Sequence, residues 1–149
     1  MSESQESQEK VTSKIVKLDE SFGNHRLEWT KKIKDLAEDL KHGSNLPEVA
    51  SYTLSYRQIL VENLASLSSK IRAQKAKIDK AFKEAWIRYF QYDYKLTDTL
   101  RDKFIKADLS EDLQIQDLLE TQREFTLGTI KTLDNLSFAI KQRMDMKQL

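Results

Sequence analysis

The chain has 149 residues, no cysteine, three glycines, one proline, 33% charged residues and a formal net charge of +1. These figures exclude disulfides, thiolate chemistry and cysteine-ligated zinc, and a turn-rich β fold would need far more glycine and proline. Mean hydropathy is strongly negative, which suits long helices with narrow apolar rows. The expected fold class is therefore all-α: long amphipathic helices with heptad seams, in a helical hairpin-type protomer that assembles into an oligomer.

In chain order, residues 1–10 alternate Ser, Glu and Gln. They lack the apolar run of a secretion signal, and their composition predicts a disordered tail. Val11 to Phe22 reads as a short helix, and His25 to Lys41 as a second, with Trp29, Ile33, Leu36, Ala37 and Leu40 on one stripe. Residues 11–46 are thus expected to form an N-terminal helical extension. His42-Gly43-Ser44-Asn45 is a helix stop, with Pro47 in the first turn of the next helix.

Residues 47–149 form the expected main domain. Its first helix runs from Pro47 to about Tyr92, roughly 65 Å at 1.5 Å per residue. Leu60, Leu64, Leu67, Ile71, Gln74, Ile78, Ala81 and Ala85 alternate spacings of four and three, the requirement for knobs-into-holes packing. Such a seam must pack on the other long helix, on another chain, or on both. The residues expected to join copies are Leu60, Leu64, Leu67, Ile71 and Ile78 here, with Ile130, Leu133 and Ile140 on the last helix. Gln91 to Thr97 reads as a connection, and Asp98 to Ala107 as a short helix with Leu100, Phe104 and Ile105 apolar. Ser110 reads as the N-cap of a last helix reaching about Met146, with Glu111 and Asp112 in its first turn. Its apolar side holds Ile115, Leu119, Phe125, Ile130, Leu133, Leu136, Ile140 and Met144. No run approaches the roughly 18 apolar residues of a membrane span.

The near-neutral total hides an uneven distribution. Residues 48–95 hold nine basic and five acidic side chains, whereas residues 96–149 hold eight basic and ten acidic. Within the long helix, Lys70, Arg72, Lys75, Lys77, Lys80, Lys83 and Arg88 face only Asp79 and Glu84. The same stretch ends in Phe82, Trp86, Tyr89 and Phe90, followed by Tyr92 and Tyr94. A basic helix edged with aromatic rings suits single-stranded nucleic acid: cations neutralise phosphate and rings stack on bases. The plainer alternative is a solvated helix face with aromatics used for packing.

Signals of catalysis are absent from the sequence. The two histidines, His25 and His42, both lie in the first third of the chain, and His42 occupies a helix-end position. There is no Glu-x-x-His pair, no phosphate-binding glycine loop and no nucleophile elbow. The expectation is a non-enzymatic protein with no cofactor and no metal site.

The run Lys70-Ile-Arg-Ala-Gln-Lys-Ala-Lys77 leads through the basic helix to Tyr89-Phe90. The chain closes with Ile130-Lys-Thr-Leu-Asp-Asn-Leu-Ser-Phe-Ala-Ile-Lys141, Arg143 and Met144. In this order of features the chain resembles the UvsY family of recombination mediators from T-even-like bacteriophages, from about Pro47 to Leu149. It departs from the family in carrying Gln91-Tyr92-Asp93-Tyr94 where members often have a glycine turn, and Glu84 and Trp86 where more basic residues are expected. The resemblance implies a protein of the host cytoplasm that binds single-stranded DNA as a ring-like homo-oligomer. It further implies contact with the phage single-strand-binding protein and help in loading the phage recombinase. Lys70, Arg72, Lys75, Lys77, Lys80, Lys83 and Arg88 would contact phosphate, with Trp86 and Phe90 stacking. Two alternatives stand beside this: a coiled-coil structural or adaptor protein without nucleic-acid binding, and, ranked last, a module that lays its basic face on anionic lipid.

Overall fold

In the computed structural model, which describes residues 2–43, 45–91 and 96–147, every element is an α-helix and no described residue is in a strand. The order is α1 (Glu3–His42), α2 (Leu46–Phe90), α3 (Asp98–Asp108) and α4 (Ser110–Lys147). Tyr92 to Lys95, the middle of the expected connection, lie outside the described residues, as does Ser44 of the expected stop.

α1 is one helix, not a tail followed by two helices. Gly23 and Asn24 lower helix propensity by about 1 kcal/mol or less each, and half-buried residues on both sides carry the helix through them. Positions Val11, Ile15, Leu18, Phe22, His25, Trp29, Ile33, Leu36 and Leu40 are all buried or half-buried, so one continuous row spans the segment. Residues 2–10 are exposed throughout, although Glu3 to Lys10 are helical.

The α1–α2 junction follows the sequence punctuation. Gly43 takes a left-handed φ of 67°, and its N–H reaches the carbonyls of Asp39 and Leu40 at 3.2 Å each. Basic side chains of α4 also reach carbonyls at this helix end: Arg143 donates to the Leu40 oxygen and Lys147 to the Gly43 oxygen at 2.8 Å.

The expected N-cap at Ser110 shifts by one residue. Leu109 accepts from the Leu113 N–H while its own N–H still bonds the Ile105 oxygen, both at 3.0 Å. It therefore closes α3 and caps α4 at once, and Ser110 becomes the first residue of α4. The N-cap of α3 is Thr97, whose side chain accepts from the Leu100 N–H. The buried face of this short helix is carried by Ile105, whereas Leu100 and Phe104 are exposed.

The chain forms two compact units, and α1, α2 and α4 each contribute to both. One unit joins α1 from Glu20, α2 through Ser68 and α4 from Thr121. Its core contains Trp29 and Leu36 of α1, Leu46, Val49 and Leu60 of α2, and Ile130, Leu133 and Ile140 of α4. Burial of each large apolar side chain contributes about 1.5–3 kcal/mol. Polar residues also enter the buried rows: the Thr53, Thr126 and Thr129 hydroxyls each donate to a carbonyl one turn back, at 2.7–2.8 Å.

The other unit joins α1 through Asp19, α2 from Ser69, α3 and α4 through Glu120. Ile71, Ile78 and Ala85 of α2, Ile105 of α3 and Leu119 of α4 are buried there. Gln74, the polar member of the seam, donates its amide to the Asp112 carbonyl at 2.8 Å.

The residues expected to join copies are occupied within the chain. Leu60, Leu67, Ile71, Ile78, Ile130, Leu133 and Ile140 are buried, and Leu64 packs half-buried against the core.

Candidate nucleic-acid interface

The basic segment of α2 lies in the second of these units. At about 100° per residue, its buried row (Ile71, Ile78, Ala85) fixes where the cations point. Arg72, Lys80 and Lys83 fall on the opposite, outward face, in line with Ile87 and Phe90. Lys70, Lys77 and Arg88 fall on one flank, and Lys75 on the other.

The seven cations are not equivalent. Lys75 lies 3.6 Å from Glu120 and Lys77 3.3 Å from Asp112, both carboxylates on α4. Lys70, Arg72, Lys80, Lys83 and Arg88 are exposed, and no acidic oxygen lies within ion-pair distance of them among the described residues. Exposed pairs contribute about 0–1 kcal/mol, so Lys75 and Lys77 are held only weakly, but their charge is locally offset. Five side chains therefore carry the positive field, three of them on one face.

The aromatic residues divide in the same way. Phe90 is 70% exposed. Trp86 is half-buried, stacked with Phe82 at a centroid distance of 6.2 Å and an interplanar angle of 21°. The Arg101 guanidinium of α3 lies over Trp86 at 4.8 Å and over Phe90 at 5.4 Å. Tyr89 stacks with Phe104 at 6.2 Å and donates its hydroxyl to Asp108 at 2.6 Å. Arg101 and Phe104 thus extend the aromatic end of α2. Sequence periodicity does not place them there, because they reach it from another helix.

A second polar cluster sits in the other unit, around His25. Its Nε2 accepts the Trp29 indole N–H at 3.0 Å, and its Nδ1 meets the Gln122 amide at 3.0 Å. The Gln122 oxygen accepts from Arg26 at 3.0 Å. Burial lowers the His25 pKa below its ordinary 6.5, Glu28 opposes this, and Lys32 and Arg26 add to it. Protonation would also set a new N–H against that of Trp29.

Because the unfolded chain binds this proton more readily than the folded one, the cluster contributes full stability above pH 6.5, and less as pH falls below it. Thermal unfolding followed by circular dichroism is expected to show a midpoint that drops from pH 7 to pH 5. A smaller drop is expected in His25→Gln, and parallel profiles would remove His25 as the cause. Among the described residues no group of three His, Cys, Asp or Glu side chains could hold a metal ion, and no helix is long and apolar enough to cross a membrane.

Fold and surface together define an all-α protein whose longest helix carries a partly unpaired basic face ending in aromatic rings. No protein-family model, curated protein or solved structure matches the chain.

Proposed function

We propose that the chain is a recombination mediator without catalytic activity, which binds single-stranded DNA on the outward face of α2. In this reading it works as a ring-like homo-oligomer and helps a phage recombinase load onto strands coated by single-strand-binding protein. The observation that carries the DNA-binding part is the row of Arg72, Lys80 and Lys83, exposed and without acidic partners among the described residues, leading to Ile87 and the exposed ring of Phe90. Cations in line neutralise successive phosphates, and an exposed ring offers a base a stacking surface that tolerates any sequence. The recombinase, the coating protein and the phage setting come from the family resemblance. Repetition around an oligomer would let modest sites act together.

A helical adaptor that binds no nucleic acid is the second reading. The pairing of Lys75 and Lys77 with α4 and the cover over Trp86 favour it. Titration of a labelled oligothymidylate at low salt, with a duplex of equal length as competitor, separates the two. Saturable binding that the duplex displaces poorly supports the mediator, and no binding leaves the adaptor.

A further inference from the structure

We infer that Arg101 is a displaceable stopper on the aromatic platform of α2, occupying the ring surface of Trp86 and Phe90 that a nucleobase would use. This rests on the single-strand reading above. Trp86 and Phe90 are one helical turn apart, so their side chains emerge on the same side of α2. Arg101 reaches them from α3, with its guanidinium 4.8 Å from the Trp86 ring centre and 5.4 Å from that of Phe90. A planar cation at that distance and a stacked base exclude one another, because both use the π face.

The hold on Arg101 is incomplete. Its side chain is only 11% exposed, and its ion-pair partner among the described residues, Asp98 at 3.4 Å, is 87% exposed. Its Nε is buried and has no hydrogen-bond partner among the described residues. A buried donor left without an acceptor is a standing cost, and it is relieved once the side chain swings into water. The freed guanidinium also remains beside the strand, where it can pair with phosphate. Release therefore exchanges an arginine on the rings for a base on the rings and a cation on the backbone. Neither Lys70 nor Arg72, further back on α2, has this coupling to a ring.

The test compares wild type, Arg101→Lys and Arg101→Gln with a labelled oligothymidylate, following anisotropy for affinity and intrinsic tryptophan emission for stacking. Lysine keeps the charge but is a compact, strongly hydrated cation that covers a ring less well than a guanidinium. Arg101→Lys is expected to bind about threefold tighter or more. Both variants should show deeper tryptophan quenching than wild type at the same sub-saturating concentration of oligothymidylate. Trp29 is buried in the other unit and supplies a constant background. Trp86→Phe should abolish the added quenching. Wild-type binding with equal or weaker binding by Arg101→Lys, or unchanged quenching in both variants, overturns the stopper and leaves the basic-face reading standing. Absence of binding by all the proteins overturns both.

Discussion

Reversing the charge of Arg72, Lys80 and Lys83 together to glutamate is expected to weaken single-strand binding by at least about a hundredfold at low salt. Removing each charge-assisted hydrogen bond to phosphate costs on the order of 1 kcal/mol or more, and about 1.4 kcal/mol is tenfold in affinity. The slope of log affinity against log salt should also flatten by about 0.7 for each phosphate no longer neutralised, so by about 2 for three. Helix content should be unchanged, because all three side chains are exposed and none is paired among the described residues. Reversal of Lys75 and Lys77 is the informative comparison. It would set glutamates against Glu120 and Asp112 and is expected to lower thermal stability more than DNA affinity. Equal losses of affinity from the two sets would mean that the outward face has no special role.

The second large effect concerns the fold. Leu133 is fully buried in the core shared by α1, α2 and α4, and Leu133→Ala is expected to cost about 2–5 kcal/mol. For a chain of this length that corresponds to a fall of roughly 10 °C in unfolding midpoint. Phe138 lies on the same helix but is 63% exposed, and Phe138→Ala should change stability by less than about 0.5 kcal/mol. Chemical denaturation of the two variants checks this. Equal losses would mean that Phe138 is covered in solution, and an unchanged Leu133→Ala would contradict the three-helix core. The pair also bears on assembly, because an exposed apolar side chain that matters for stability is one that a second chain covers.

The helical class, the stop at Gly43 and the extent of α4 were legible because local chemistry decides them: scarce breakers, a left-handed glycine and sustained periodicity. The continuity of α1 was not, since Gly23 and Asn24 weaken a helix locally while burial from Phe22 to Trp29 holds it together. Polar members of the buried rows were missed for a related reason. Leu119, Gln122, Thr126, Thr129, Leu133, Leu136 and Ile140 alternate spacings of three and four, and all are buried or half-buried. Spacing alone finds this row, whereas a hydrophobicity filter drops three of its members.

The basic segment was legible as composition but not as a surface. Which cations stay unpaired depends on Asp112 and Glu120 of α4, and the cover over Trp86 depends on Arg101 of α3. Those partners stand 35 or more positions away for the lysines, beyond any local pattern. The face of α3 was legible only in part for the same reason: of its three apolar candidates, Leu100, Phe104 and Ile105, packing against the rest of the unit buries Ile105 and leaves the other two exposed.

The most direct test of the central claim is the affinity of the wild-type protein for a labelled single-stranded oligonucleotide across a range of salt concentrations. The basic face of α2 predicts tight binding at low salt that falls steeply and linearly on a log–log plot, with a slope of about −2 or steeper from three or more neutralised phosphates. Binding that is absent at low salt, or present but insensitive to salt, would contradict it.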